Sequence, residues 1–456
     1  MADRFDLVVL GAGTGGYAAA LRGASLGLKV AMVERDKVGG TCLHRGCIPT
    51  KALLHSAEVL ETVRGASDFG IASGEPTYDW SGVQKHKDGV VTKMHKGLEG
   101  LIKHRSIETV RGTGTFTDPH TIQVDGRTLT APNIVIATGS QPKRLSGIEG
   151  DRVITSDEAM TEGVPKSAIV LGAGSVGVEF ASVWASFGAN VTVVEMLPTL
   201  VPLEDDDLGK ELAKAFKKRG ITSLTNTKME EASAGDDGVK VTVSTNGKSE
   251  QLDADVLMIA VGRAPVTDGA GLDAAGVQTD PRGFVVVDDN LRAGEGLWAV
   301  GDCINTPALA HVAFAEGMFV AEQIADADAT PINYDAIPRA TYCVPEVGAV
   351  GLTETQARER GHDVVTQKVN MSAIGKASIL GDTTGFCKIV AARDGAILGA
   401  HFIGPRVTEL IADAMLAVGW EALPEEVAAL IHPHPTLSEV FGEAALALAG
   451  RALHTA

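Results

Sequence analysis

Residues 5–34 read FDLVVLGAGTGGYAAALRGASLGLKVAMVE, and this stretch decides the fold class. Three glycines follow the first apolar run at the spacing GxGxxG, namely Gly11, Gly13 and Gly16. A second apolar run ends at the acid Glu34. This order predicts a strand at 5–10, a glycine turn, a helix and a parallel strand. The turn would bring the helix N-terminus to a dinucleotide pyrophosphate, and Glu34 would bind ribose hydroxyls.

The same pattern recurs at residues 167–195, SAIVLGAGSVGVEFASVWASFGANVTVVE. Its glycines and acid are Gly172, Gly174, Gly177 and Glu195. Two copies in the same context predict two dinucleotide sites, although one copy could be a duplication that binds nothing. Glu195 favours a free ribose 2′-hydroxyl, and the following MLPTLVP supplies no Lys or Arg for a 2′-phosphate. We therefore expect NAD rather than NADP at the second site.

Composition limits the classes of protein that need to be considered. A chain of 456 residues is too long to fold around one hydrophobic core, so we expect three or four domains. The net charge of −18 and the 4% of aromatic residues argue against a nucleic-acid partner. No leader pattern and no apolar stretch of about 20 residues is visible, so we expect a cytoplasmic protein without a membrane partner.

The remaining chain predicts α/β architecture. Strand-like alternation fills residues 107–136, with turns at Asp118-Pro119 and Asp125-Gly126. Further strands are expected at 255–261 and 297–300, each leading into a Gly-containing exit where ligands commonly bind. From about residue 336 the pattern changes to short strands and helices, which indicates a separate α+β domain.

Cys42 and Cys47 lie in GGTCLHRGCIPTKALLH, residues 39–55. On a regular helix their Cα atoms would be about 8–9 Å apart, too far for a disulfide, so a redox pair requires a break that Gly46 permits. Pro49 then predicts a helix from 49 to about 60, with Cys47 near its N-terminus. Zinc is disfavoured because no second ligand cluster lies close in sequence, and two unrelated buried cysteines remain the alternative.

With these motifs, the whole chain resembles the pyridine nucleotide–disulfide oxidoreductases, and within that family the enzymes that oxidise dihydrolipoamide. The resemblance implies two Rossmann-like domains, for FAD and NAD, and a C-terminal α+β dimerisation domain. The implied division is 1–148 for FAD, 149–268 for NAD, 269–335 for a central domain that completes the FAD site, and 336–456 for the interface. Many relatives have Asn-Val at His44-Arg45, so this difference could alter the active-site entrance.

The resemblance also implies unequal roles for the cysteines. Cys42 would exchange with the substrate, and Cys47 would face the flavin. Lys51 would lie beside the flavin with Glu179 as its partner. The other three cysteines, Cys303, Cys343 and Cys387, are expected to be ordinary buried thiols.

Cofactor residues follow from the same resemblance. The FAD set is Gly11, Gly13, Gly16, Glu34, Thr41, Lys51, Gly114, Thr138, Gly139, Asp302 and Ala310. The NAD set is Gly172, Gly174, Gly177, Glu195, Gly262 and Arg263.

The segment HPHPTLSEV, residues 432–440, resembles the family's catalytic His–Glu pair through His434 and Glu439. Thiol exchange needs a thiolate, and an imidazole can take the proton of a substrate thiol. Glu439 would fix the imidazole tautomer, and His432 is a rival base. In the family this histidine reaches the cysteines of the other subunit, so a homodimer with a shared active site is implied.

The function implied is NAD-dependent oxidation of dihydrolipoamide, with the dithiol carried on the lipoyl domain of an acyltransferase in a 2-oxoacid dehydrogenase complex. Two alternatives stay open. One is an NADPH-dependent reductase of a low-molecular-weight disulfide, which Glu195 disfavours. The other is a docking subunit of a multienzyme complex whose redox role is secondary.

Overall fold

A computed structural model describes residues 3–455. The chain divides into two compact units. The first comprises 3–52, 81–143 and 262–332, and the second comprises 53–80, 144–261 and 333–455.

The strands in chain order are β1 (Asp3–Arg4), β2 (Leu7–Leu10), β3 (Val30–Glu34), β4 (Glu108–Arg111), β5 (Thr115–Asp118), β6 (Thr121–Val124), β7 (Arg127–Thr130), β8 (Asn133–Ile136), β9 (Ser140–Pro142), β10 (Val153–Ile154), β11 (Ser167–Leu171), β12 (Asn190–Val194), β13 (Thr222–Leu224), β14 (Thr227–Gly235), β15 (Gly238–Thr245), β16 (Lys248–Ala254), β17 (Val256–Ile259), β18 (Arg263–Pro265), β19 (Arg292–Gly294), β20 (Leu297–Ala299), β21 (Arg339–Thr341), β22 (Glu346–Gly351), β23 (Val364–Asn370), β24 (Phe386–Ala392) and β25 (Ile397–Gly404).

The α-helices are α1 (Thr14–Ser25), α2 (Gly40–Arg45), α3 (Cys47–Arg64), α4 (Trp80–His104), α5 (Ser156–Ala159), α6 (Ser175–Ser186), α7 (Asp206–Lys218), α8 (Ala310–Ile324), α9 (Glu354–Glu359), α10 (Gly375–Ile379), α11 (Val407–Gly419), α12 (Pro424–Ala428) and α13 (Glu439–Leu448).

The first unit is built on a six-stranded sheet in the order β19-β20-β8-β2-β3-β4. All its neighbours pair in parallel except β19 with β20. Every residue of β2 is buried, as expected for a central parallel strand covered on both faces. The strand predicted at 5–10 begins two residues later, as β2, and residues 3–4 before it form β1, which belongs to a different sheet with β5, β6 and β7. The predicted strands of 107–136 are confirmed as β4 to β8.

The second unit contains a five-stranded parallel sheet in the order β10-β17-β11-β12-β13. The strand predicted at 255–261 forms the shorter β17. The strand predicted at 297–300, which belongs to the first unit, forms β20. A three-stranded antiparallel sheet, β14-β15-β16, was not predicted.

The C-terminal part of the second unit is a five-stranded antiparallel sheet in the order β21-β22-β25-β24-β23. Helix α11 packs against β22 and β25, and α13 packs against β23 and β24. The predicted α+β character from about residue 336 is therefore confirmed. Across residues 3–455, no helix combines the length and apolar character needed to span a bilayer.

Candidate active site

Gly46 interrupts the helical backbone between the two cysteines, as the sequence predicts. Cys42 lies on α2, which ends at Arg45, and Cys47 is the first residue of α3. A Cβ on residue 46 would lie 3.1 Å from the carbonyl oxygen of Thr41 and 3.4 Å from the Cα of Cys42. Glycine thus permits a close approach that brings the second cysteine back toward the first.

The predicted bounds of the following helix, 49–60, were wrong, because α3 runs from Cys47 to Arg64. Pro49 occupies the third helical position. The N–H groups of the first turn have no intrahelical partner, so proline loses nothing there and does not have to be the first residue. Cys47 consequently lies at the helix N-terminus, where the helix dipole stabilises negative charge.

The two sulfurs influence each other electrostatically. A hydrogen bond with Cys47 is the largest cause that raises the pKa of Cys42, burial raises it further, and the charge of Lys51 acts in the opposite direction. Interacting groups of this kind titrate as a pair. The arrangement therefore favours one shared negative charge over two thiolates. Both cysteines are half-buried, which leaves the pair accessible to a reactant.

Tyr17, on α1, lies close enough to respond to both sulfurs. Burial raises the pKa of its phenol to about 12, with further contributions from Cys42 and Cys47. Its ring packs on Phe314 at a centroid distance of 5.5 Å. The cysteine pair thus has a neutral phenol beside it.

His44, two residues after Cys42, makes two contacts. Its Nε2 lies 2.9 Å from the carbonyl oxygen of Val38, so this nitrogen carries the proton and donates. The ring meets that of His95 edge-on at 4.9 Å between centroids. Burial lowers the pKa of His44, and His95 lowers it further against the opposing effect of the Val38 hydrogen bond. A neutral imidazole therefore stands two residues beyond Cys42.

Both glycine loops have the same backbone geometry. Gly11 and Gly172 have φ of 102°, and a Cβ on either would lie within 2.5 Å of a carbonyl oxygen from a neighbouring strand exit. A Cβ on Gly16 or Gly177 would lie 1.9 or 2.0 Å from the carbonyl oxygen of the first glycine of its own loop. These four positions require glycine, because the turn is tight and the following helix lies close against it.

The middle glycines, Gly13 and Gly174, are different, because a Cβ on either would meet no atom within 4 Å. Each is the N-cap of the following helix, and neither α1 nor α6 has a side-chain cap or an acid in its first turn. Free N–H groups beside open space form the setting that a pyrophosphate occupies. The residues at both loops thus fit a bound dinucleotide.

The two strand-end acids brace these loops. Glu34 accepts a hydrogen bond from the N–H of Ala12 at 2.9 Å, and Glu195 accepts one from Ala173 at 2.7 Å. The other oxygen of each carboxylate accepts from the N–H two positions further along the chain. The acids therefore hold the glycine turns in addition to their predicted ribose contacts.

A hydrogen-bonded chain joins three residues in the first unit. Ser140 Oγ donates to Asp302 Oδ2 at 2.5 Å. Arg263 donates from Nε to Ser140 Oγ at 2.7 Å and from its Nη2 to the Ser140 carbonyl oxygen at 2.8 Å. The sequence assigned Asp302 to FAD and Arg263 to NAD, whereas the structure gives these two residues a common partner, which sequence reasoning missed.

Other predicted FAD residues occupy element ends or packed positions of the first unit. Ala310 is the first residue of α8. Gly114 is buried, and a Cβ there would lie 2.6 Å from a methyl group of Leu10. Three more lie in α2 or just after β8, namely Thr41, Thr138 and Gly139. Gly262, predicted for NAD, has φ of 106° and precedes β18.

Lys51 and Glu179 belong to different units, so their pairing stays a prediction. Lys51 follows Cys47 by one turn of α3. Glu179 lies buried in α6, where Oε1 accepts a hydrogen bond from the N–H of Tyr342 at 2.9 Å.

His434 and Glu439 are in direct contact. His434 Nδ1 lies 2.8 Å from Glu439 Oε1, and Oε2 of the same carboxylate accepts the N–H of Thr436 at 2.8 Å. Burial raises the pKa of Glu439, but the Thr436 and His434 hydrogen bonds outweigh it, so the net pKa is below the usual value. The carboxylate thereby holds the imidazole proton on Nδ1, so Nε2 carries a lone pair. The His434 side chain is 73% exposed, and this lone pair can accept a proton from a reactant.

His432, the rival base, packs differently. A Cβ on Gly442 would lie 2.6 Å from its ring, which shows that the imidazole lies flush against α13. Another histidine that sequence reasoning missed, His454, contacts Glu443 on the same helix. No motif in the sequence singled it out.

Within residues 3–455 no group of three His, Cys, Asp or Glu side chains could hold a metal ion.

The family profile "Pyridine nucleotide-disulphide oxidoreductase" matches residues 5–317, and the dimerisation-domain profile of the same family matches 337–445. The chain belongs to this family. Membership confirms the predicted fold class, an oxidoreductase that uses FAD and NAD, and, through the dimerisation domain, a homodimer.

Family relatives cover the whole chain. It is 41% identical to dihydrolipoyl dehydrogenase of Bacillus subtilis over all of both chains. It is 42% identical to the protein of that name from Thermus scotoductus, over 99% of this chain and 98% of the relative. Among solved structures of the family, LpdA from Mycobacterium tuberculosis is 25% identical with a TM-score of 0.89, covering 98% of this chain and 99% of LpdA. The HOCl-induced flavoprotein disulfide reductase RclA from Escherichia coli is 27% identical with a TM-score of 0.85, covering 96% and 99%.

Proposed function

We propose that this chain is an NAD-dependent dihydrolipoyl dehydrogenase that oxidises dihydrolipoamide to lipoamide through a Cys42–Cys47 disulfide. The single observation that carries the proposal is the helix break at Gly46, which allows the two sulfurs to interact at the start of α3. The name shared by relatives over their full length supports dihydrolipoamide as the substrate.

In the first chemical step, the C-terminal segment supplies the base. His434 of one subunit accepts a proton from dihydrolipoamide at Nε2, while Glu439 keeps the imidazole oriented. The resulting substrate thiolate attacks Cys42, the disulfide with Cys47 breaks, and the electron pair passes to Cys47. The second substrate sulfur then displaces Cys42, and lipoamide leaves as a cyclic disulfide.

The cofactors would be held by the two glycine loops. Gly11, Gly13 and Gly16 with Glu34 would bind FAD, and the copy at Gly172 to Glu195 would bind NAD. When bound, FAD accepts the two electrons from the cysteine pair and supplies them to NAD as hydride. Lys51 with Glu179, and Asp302 with Ser140, would position the flavin, while Thr41, Gly114, Thr138, Gly139 and Ala310 complete its site.

The protein partner proposed is an acyltransferase of a 2-oxoacid dehydrogenase complex, whose lipoyl domain carries the dithiol. The active site would be shared between the two subunits of the dimer. The division into four domains ending at residues 148, 268, 335 and 456, and the cytoplasmic location, stay predictions.

The test is a substrate comparison with the purified, FAD-loaded protein. Dihydrolipoamide with NAD is expected to yield NADH, and dihydrolipoamide with NADP is expected to be poor because Glu195 repels a 2′-phosphate. NADPH oxidation by a low-molecular-weight disulfide, without dihydrolipoamide oxidation, would contradict the proposal and favour the reductase. A Cys42→Ser variant distinguishes a redox role from a docking role. It should keep its binding to the complex and lose dihydrolipoamide oxidation.

A further inference from the structure

Helix α13 carries a second histidine–carboxylate pair one turn beyond the first. Glu439 and Glu443 are four residues apart and so lie on one face of the helix. His454 Nδ1 lies 2.8 Å from Glu443 Oε1, and the His454 backbone N–H donates to Oε2 at 3.1 Å. The Glu443 side chain is only 8% exposed.

The second pair repeats the hydrogen-bond pattern of the first. In each pair Oε1 receives the imidazole Nδ1 proton and Oε2 receives a backbone N–H. A carboxylate only accepts, so both imidazoles carry the proton on Nδ1 and present an Nε2 lone pair. The His454 side chain is 58% exposed, so this lone pair is available to an external proton donor.

The two pairs are also close enough to interact electrostatically. His454 is one of the groups whose charge lowers the pKa of Glu439, after burial, which raises it, and after the contributions of Thr436 and His434. The second pair therefore lies within electrostatic range of the carboxylate that holds His434.

The oxidation of a dithiol releases two electrons and two protons, and His434 still holds the first proton when the second thiol has to lose its own. We propose that His454 and Glu443 form a second acid–base pair of the dithiol site, which takes the proton of the second substrate thiol. This inference rests on the proposed function.

The steps balance with the residues already described. After the first thiol has given its proton to His434, its sulfur bonds to Cys42 and the electron pair of the broken disulfide goes to Cys47. The second thiol gives its proton to Nε2 of His454. Its sulfur then bonds to the first substrate sulfur, and the bond to Cys42 breaks with the electron pair on Cys42, which takes the first proton back from His434. The cysteines have gained two electrons, Cys42 and His454 hold one proton each, and the cysteine pair keeps one negative charge.

The experiment compares His454→Gln with His362→Gln, a control at an exposed histidine of the same unit. Dihydrolipoamide oxidation with NAD is measured beside NADH oxidation by ferricyanide, an acceptor that needs no cysteine chemistry. His454→Gln is expected to lower kcat for dihydrolipoamide about tenfold, below the usual effect of a principal base. The control should keep its kcat, and His454→Gln should lower the residual rate of a His434→Gln protein further.

Glu443→Gln keeps the side-chain volume and removes the charge, so it should also lower kcat for dihydrolipoamide while the ferricyanide rate is retained. A kcat of His454→Gln within twofold of wild type would overturn the second pair. So would an equal loss in the ferricyanide reaction, since that indicates general damage. Failure of the wild-type protein to oxidise dihydrolipoamide would overturn the proposed function as well, and is distinguishable because it precedes any variant.

Discussion

Gly174→Ala is the substitution for which the structure gives the sharpest expectation. The added Cβ meets no protein atom within 4 Å, and the backbone angles, φ −67° and ψ 178°, are open to alanine. Loss of a glycine N-cap should therefore reduce stability by only about 0.5–1 kcal/mol. The same methyl group would stand where the NAD pyrophosphate approaches. Overpacking of that kind costs about 1–3 kcal/mol, which corresponds to about a 5- to 150-fold weaker binding of NAD.

The assay measures KM for NAD in dihydrolipoamide oxidation, together with FAD content and the melting temperature. Gly13→Ala is the matched variant in the first loop, and it should weaken FAD retention while leaving the KM for NAD of the FAD-loaded fraction unchanged. Gly177→Ala should instead fail to fold well, because its Cβ would lie 2.0 Å from a carbonyl oxygen. An unchanged KM for NAD in Gly174→Ala would refute the assignment of this loop to NAD.

Three further predictions concern other features. Arg263→Lys cannot keep both hydrogen bonds to Ser140, so FAD should dissociate more readily during dialysis while the KM for NAD stays constant; a raised KM alone would return Arg263 to the NAD site. Lys388→Met removes the ammonium partner of the buried Asp205 and should lower the free energy of unfolding by about 3–5 kcal/mol in a urea titration. A loss below about 1 kcal/mol would contradict a stabilising buried ion pair. Burial lowers the pKa of His401 more than Asp205 raises it, so the unfolded chain binds a proton at this residue more readily than the folded chain does. The free energy of unfolding should therefore fall as the pH drops below about 6.5, and His401→Gln should make it depend less on pH between 7.5 and 5.5.

The nucleotide loops could be predicted from sequence because their information is local. The requirement for glycine at residues 11 and 16 follows from a turn whose atoms lie within six residues and an adjacent strand. The break at Gly46 was predictable for the same reason, since disulfide geometry and helix geometry conflict over a span of five residues. The exact start of α3 was not, because Pro49 is tolerated anywhere in the first turn.

Features that depend on distant segments were missed. Strand β16 is mostly exposed, so it lacks the apolar alternation by which a strand is recognised. The family resemblance implies an NAD role for Arg263, which stays a prediction. The pairing of its strand β18 with β9 brings the guanidinium to Ser140, 123 residues away, and this contact was not predicted. The contact of His454 with Glu443 depends on the chain turning back along α13, which no spacing rule indicates.

The most direct test of the central claim is an anaerobic titration of the FAD-loaded protein with dihydrolipoamide in the absence of NAD. One equivalent of dithiol should reduce the Cys42–Cys47 pair and produce the long-wavelength absorbance of a thiolate beside oxidised flavin. Cys42→Ser and Cys47→Ser should each abolish that change. The same spectral change in either variant, at the wild-type rate, would contradict a relay of electrons through the two cysteines.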